Sequence, residues 1–158
     1  NVGVPGSCAQ QREPLAMSVS MSGRYSGHLK VQLTHEPSGC QIHTAAPLDN
    51  NGDGSSFSPT DLVAAALGAC MLTIVAMVAE RDGISTEGLS FQVEKHMQSN
   101  PRRIGSLPLH VHMPAGLTPA QRAKLERAAL TCPVHHSLLP EIEKVVTFHY
   151  PEGGSQSN

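Results

Sequence analysis

The sequence predicts an α+β fold built on antiparallel pairing, and three observations carry that prediction. An uncharged run from Leu62 to Ala79 has the length of one long helix. Short segments of alternating apolar and polar residues flank it on both sides, which is the period-two signature of strands. Strands and helices do not alternate regularly along the chain, so a parallel βαβ sheet is not expected.

The elements follow in chain order. Residues 1–16 show no periodicity and read as a disordered tail or non-native extension, with Met17 as a natural start. Residues 17–150 read as a single domain, and 151–158 as a flexible tail. From Ser18 to Leu33 the alternation, with a turn at Tyr25-Ser26-Gly27-His28, predicts a β-hairpin. Another strand should follow Pro37-Ser38-Gly39 and carry Cys40, Ile42 and Thr44. Pro47 to Ser56 is a loop by composition. Strands are expected at Leu89 to Met97 and Ile104 to His112, and a last one at Val145 to Tyr150.

Three helices announce their starts. Ser58-Pro59-Thr60-Asp61 supplies an N-cap hydroxyl, a proline at the first helical position and an acid in the first turn. Thr118-Pro119-Ala120-Gln121 repeats the plan with a capping-box Gln. Thr131-Cys132-Pro133 opens a short helix through about Leu139, stopped by Pro140.

Composition narrows the function. The chain has 158 residues, 39% hydrophobic and 15% charged, with a formal net charge of -2. The 11 Lys and Arg are scattered, which argues against nucleic acid or an anionic membrane as partner. With no Trp and 3% aromatics, stacking platforms for bases or sugars are not expected. No basic region and apolar stretch of a secretory signal opens the sequence, so a reducing cytoplasm is the expected location.

The long helix has a consequence of its own. Its length lies at the threshold for a membrane span. Against that reading stand Asp61 and Glu80-Arg81 at its ends, the lack of Trp or Tyr anchors, and the soluble-type strands around it. A helix apolar on every face must be buried on every face. One sheet covers one side, and Ala64, Ala65, Ala66, Gly68 and Ala69 allow a second backbone to approach. The expected solution is a homodimer with two copies of this helix packed together.

Of the four cysteines, Cys70 and Cys132 are candidates for a redox pair. Cys132 begins a helix, where unpaired N–H groups and the dipole should lower its pKa. His135 and His136 follow within a turn and can add charge or a hydrogen bond. Taken alone, Cys132 also reads as a plain N-cap. Cys70 lies mid-helix, where an apolar setting would make it inert unless a cation or donor stands nearby. Together they can act as nucleophile and resolver, provided the helix passes within disulfide reach of the Cys132 turn. Metal ligation is the rival use: Cys132, His135 and His136 have ligand-like spacing, and His110 and His112 share one strand face. No CxxC is present, and no metal or cofactor is expected. Cys40 reads as a semi-buried strand residue.

The motifs Ser58-Pro59-Thr60-Asp61-Leu62-Val63, Ala66-Leu67-Gly68-Ala69-Cys70 and Cys132-Pro133-Val134-His135 resemble those of the OsmC/Ohr family, the osmotically inducible and organic-hydroperoxide-resistance proteins. The similarity runs from about Val19 to Tyr150 in motif and element order. It implies an intertwined homodimer of two long central helices wrapped by two sheets, with sites at the subunit interface. It also implies thiol-dependent reduction of organic hydroperoxides. Cys70 then matches the peroxidatic cysteine, Cys132 the resolving one, and an external dithiol reduces the disulfide. The peroxidase branches hold the thiolate with an Arg and a Glu, the Glu ten residues before the cysteine. Here Thr60 occupies that position, and Asp61, next to it, is turned by about 100° around the helix. Arg24 is the one candidate Arg in the early strands.

The leading expectation is therefore an OsmC-like thiol peroxidase in oxidative-stress defence, with Cys70 attacking, Cys132 resolving, and Arg24, Asp61, Thr60 or His135 orienting the thiolate. Leu67 and Ile74 would shape an apolar pocket favouring organic peroxides. The alternative is a non-catalytic protein on the same scaffold that binds a small apolar ligand.

Overall fold

The computed structural model describes residues 18–151. The expected N-terminal tail, Cys8 and Met17 lie outside them, as does the C-terminal tail after Pro151. The chain divides into two compact units, Asn1–Thr44 and Ala45–Asn158.

The first unit is a sheet of three strands, β1 (Met21–Gly27), β2 (Lys30–His35) and the start of β3 (Cys40–Ala45), in that spatial order. β1 and β2 run antiparallel, with Met21 opposite His35 and Arg24 opposite Gln32. The turn falls at His28-Leu29, later than expected, with φ of 52° and 58°. Two positive φ values make the two-residue turn whose twist suits a hairpin. Leucine tolerates that conformation poorly, and here its N–H donates to the Tyr25 hydroxyl at 3.2 Å. Cys40 is exposed rather than semi-buried, because its whole strand is solvent-facing up to His43.

The second unit holds the long helix. After a 3-10 turn at Leu48–Asn50 come α1 (Pro59–Arg81), β4 (Ser90–Val93), β5 (His96–Ser99), β6 (Arg102–Ser106) and β7 (Leu109–His112). Then follow α2 (Pro119–Ala129), α3 (Pro133–Ser137) and β8 (Val146–His149). Each of the two predicted strands in the middle of the chain is broken in two. Glu94-Lys95 and Leu107-Pro108 interrupt them, and a proline cannot donate to a ladder. The fragments recombine as β4-β7-β8 and as the β5-β6 hairpin. The α+β class holds, but β8 runs parallel to β7, with His112 opposite His149. The antiparallel expectation fails for that pair because α2 and α3 form the crossover that a parallel connection needs.

α1 starts as its sequence dictates. Ser58 Oγ accepts the Asp61 N–H at 3.1 Å and the Asp61 carboxylate accepts the Ser58 N–H at 2.7 Å. Its length and composition would suffice to cross a membrane. One stripe, Ala64, Leu67, Gly68, Met71, Val75 and Ala79, is buried at the three-and-four spacing of a single helix face. That stripe joins Leu109, Val111, Leu125 and Ala129 in the core. Gly68 is required there: a Cβ at this position would lie 2.2 Å from the Phe91 ring. The opposite stripe, Ala66, Ala69, Thr73 and Met77, is exposed in the single chain.

Candidate functional site

The second unit brings Cys70 and Cys132 together. Cys70 lies near the middle of α1 and is partly exposed, while Cys132, at the start of α3, is fully buried in the core. Contacts between α1 and α3 set the Cys70 thiol beside the Cys132 thiol. Both are free thiols.

α3 places Cys132 by an unusual cap. Its Sγ accepts the backbone N–H of His135 at 3.4 Å, the role an oxygen plays at the other two helices. Pro133 follows at the first helical position, where a missing N–H costs nothing. The expected lowering of the Cys132 pKa is corrected. Burial pushes the thiol up, and the Cys70 thiol beside it adds to this. The N–H groups of His135 and Val134 pull down without prevailing. Desolvation outweighs the dipole of a helix of five residues.

His135 contributes through its backbone, not its ring. Burial, then Lys144 and His136, hold its pKa below the ordinary imidazole value. A ring kept neutral near pH 7 supplies no charge to either sulfur. Its Nδ1 is buried without a hydrogen-bond partner. His136 stands edge-on to it, with ring centroids 5.5 Å apart.

The candidates at the start of α1, Asp61 and Thr60, are engaged elsewhere. Lys95 Nζ donates to Asp61 Oδ1 at 2.5 Å, to Thr60 Oγ1 at 2.9 Å and to Ser58 Oγ at 3.3 Å. Burial pushes the Asp61 carboxyl up, but Lys95 and the Ser58 N–H and hydroxyl hold it below the usual carboxylate value. Asp61 and Thr60 precede Cys70 by nine and ten residues. Along one helix that is about 14 Å, so within a chain neither touches the Cys70 thiol. Asp61 instead borders a cleft of about 580 Å³ with Phe57, Ala65, Val93 and Lys95. Lys95 was not singled out by the sequence; its only signal was a charge between two strand halves. Arg24 sits on the exposed face of β1 in the first unit, over a cleft shared with Gln32, Thr34 and Gln41.

One further expectation changes. Leu67 is fully buried, so it is part of the core and not the wall of an open pocket. Among the described residues no three His, Cys, Asp or Glu side chains converge as a metal would require. Cys132 with His135 and His136 is thus not assembled as a metal centre.

Known proteins share this architecture. The family profile described as OsmC-like protein matches residues 52–146. A crystal structure from Psychrobacter arcticus, of a candidate osmotic-stress-induced and detoxification-response protein, is 36% identical with a TM-score of 0.79. It covers 85% of this chain and 97% of its own. The organic hydroperoxide resistance protein OsmC of Legionella pneumophila is 20% identical with a TM-score of 0.68, over 86% of this chain and 98% of its own. The organic hydroperoxide resistance protein OhrB of Bacillus subtilis is 19% identical with a TM-score of 0.61, over 84% and 98% respectively. At these lower identities the likeness is one of fold. No curated protein sequence matches. With its profile match spanning the long helix, both cysteines and β7, this chain belongs to the OsmC-like protein family.

Proposed function

We propose that this protein is a thiol-dependent peroxidase that reduces organic hydroperoxides in peroxide-stress defence. One observation carries the reading: a partly exposed Cys70 thiol lies beside a buried Cys132 thiol whose protonated form is favoured. That asymmetry suits one sulfur for attack and the other for resolution. The names of the Legionella and Bacillus proteins, which share the fold, agree with it.

The chemistry balances as follows. The Cys70 thiolate attacks the outer peroxide oxygen, the O–O bond breaks, and the departing alkoxide takes a proton to leave as alcohol. Cys70 becomes a sulfenic acid. Cys132 attacks its sulfur, an S–S bond forms, and water leaves with the sulfenic oxygen and the thiol proton. An external dithiol then returns two electrons in the reducing cytoplasm.

The working unit is a homodimer. The exposed stripe Ala66, Ala69, Thr73 and Met77 on an otherwise apolar helix supports this, since a second copy of α1 would remove it from water. Sedimentation at micromolar concentration should give the dimer mass.

Turnover of cumene hydroperoxide with a dithiol tests the reaction. Wild type should cycle and Cys70→Ser should fall to background. Cys132→Ser should consume one equivalent and stall as sulfenic acid. Inactivity of the wild type with every dithiol tried sinks the reading.

A second reading, a non-catalytic protein binding a small apolar ligand, is favoured by the engagement of Asp61 with Lys95 and the helix cap. Under it both cysteine variants would bind an apolar probe like wild type, and no peroxide would be consumed.

A further inference from the structure

Three histidines that the thiol chemistry does not use stand in a row on the outer face of the β4-β7-β8 sheet. Val111 is fully buried, so its neighbours His110 and His112 project from the other face of β7. β8 runs parallel beside it and sets His149 opposite His112. The His149 ring stacks between the other two, with centroids 5.1 Å from His110 and 5.0 Å from His112. His110 Nδ1 and His149 Nε2 are 2.9 Å apart and share one hydrogen bond. β8 is an edge strand of its sheet and only four residues long. It also closes the crossover through α2 and α3 that carries Cys132.

We propose that this histidine row is a proton-operated latch between β7 and β8, closed while it holds at most one added proton and loosened by the second. An N–H···N bond needs one nitrogen that carries a hydrogen and one with a free lone pair. Two neutral rings satisfy it. One added proton on His149 keeps it as a charge-assisted bond to His110 and leaves the stacked His112 ring neutral. A second proton destroys one contact or the other. On His110 it puts a hydrogen on both facing nitrogens, and on His112 it stacks two cations. Imidazole takes up its proton between about pH 5 and 8, so acidification through that range works the latch.

The groups around the row do not compensate a second charge. β4 places Ser90 opposite His112 and Gln92 opposite His110, and neither titrates. Glu94, next on that face, is bonded to His96 at 3.0 Å. On β8, Thr147 lies opposite His110. The Glu87 carboxylate lines a cleft of about 740 Å³ with His112 and His149, and it offsets one positive charge but not two. Tyr150, directly after His149, is anchored on α2, its hydroxyl donating to Glu126 and its ring under the Arg122 guanidinium. That anchor keeps the opening local. The charge is relieved where β8 parts from β7, without unfolding the chain.

Amide hydrogen exchange read by NMR tests this, with each rate referred to the intrinsic rate at the same pH. The reporter is the Met113 N–H, which donates to the His149 carbonyl at 2.8 Å. Between about pH 7.5 and about pH 5 its protection in the wild type should fall about tenfold further than that of the α1 amides, the weight of one lost hydrogen bond. In His149→Gln, whose side chain takes up no proton, that extra fall should shrink to within about twofold. Because that variant could fold poorly, nitrogen-15 spectra of the wild-type imidazoles give a second readout. His110 Nδ1 and His149 Nε2 should be one donor and one acceptor at the higher pH, and the pair should be gone at the lower. A Met113 fall no larger than that of α1, an equal extra fall in His149→Gln, or a donor–acceptor pair that persists at the lower pH would each overturn the proposal.

Discussion

The starts of α1 and α3 are built on the same plan and put to opposite uses. Both place a small polar residue at the cap and a proline directly after it. At α1 the cap is Ser58, whose oxygen accepts at 3.1 Å, and Asp61 closes the box and binds Lys95. At α3 the cap is Cys132, whose sulfur accepts at 3.4 Å and has no box. Sulfur is the weaker acceptor. The first start is therefore organised for stability, with Ser58 and Asp61 meeting each other's N–H and the carboxylate and hydroxyls meeting Lys95. The second gives up cap strength and keeps a thiol beside Cys70. α1 is 23 residues long and α3 only five, so a weak cap at α3 risks little of the fold.

The largest effect in this comparison should come from Asp61→Ala. It removes the box and leaves Lys95, whose side chain is 16% exposed, without its carboxylate. The Asp61 side chain is 37% exposed, so the figures for fully buried pairs do not apply. A loss of about 2 kcal/mol is expected, from one cap and one partly buried charged hydrogen bond. Urea denaturation would measure it. A loss below about 0.5 kcal/mol, the size of an exposed pair alone, would mean that the two helix starts do not differ as argued.

Cys132→Ser should act in the other direction on the cap and only weakly. A hydroxyl caps better than a thiol, by up to about 1 kcal/mol. Burying it in the core costs a similar amount when only one hydrogen bond is available. The net stability change should stay within about 1 kcal/mol, while disulfide formation with Cys70 is abolished. A substitution that unfolds the protein would make Cys132 a packing residue first.

How much of this was readable beforehand divides along the same line. The caps were legible because they are local: Ser58, Thr118 and Cys132 each announce a helix within four residues. The proximity of Cys70 to Cys132 was legible from the two motifs that carry them, but the direction of the Cys132 pKa shift was not. The helix start is a local signal that favours the thiolate, whereas the burial that opposes it comes from α1 and the core packing around it. The engagement of Asp61 by Lys95 was hidden for a related reason. Lys95 lies 34 residues away in sequence, and no local pattern announces that meeting. The breaks at Glu94-Lys95 and Leu107-Pro108 were visible as residues, yet only tertiary pairing turns them into ends of separate sheets.

The smallest effect concerns pH. The folded pKa of Cys132 is raised, so the folded state holds that proton more tightly than the unfolded chain. The resulting stability is present below the ordinary thiol pKa and is lost as pH rises through the folded value. His135 runs the other way, as a base whose folded pKa is lowered. Its contribution is present above the ordinary imidazole value near 6.5 and is lost as pH falls through the folded one. Melting temperature should therefore decline on both flanks of a neutral plateau. Cys132→Ser should flatten the alkaline flank and His135→Gln the acid flank, each leaving the other untouched. If Cys132→Ser left the alkaline flank unchanged, the thiol would not be the group that titrates there, and the contrast between the two helix starts would lose its electrostatic half.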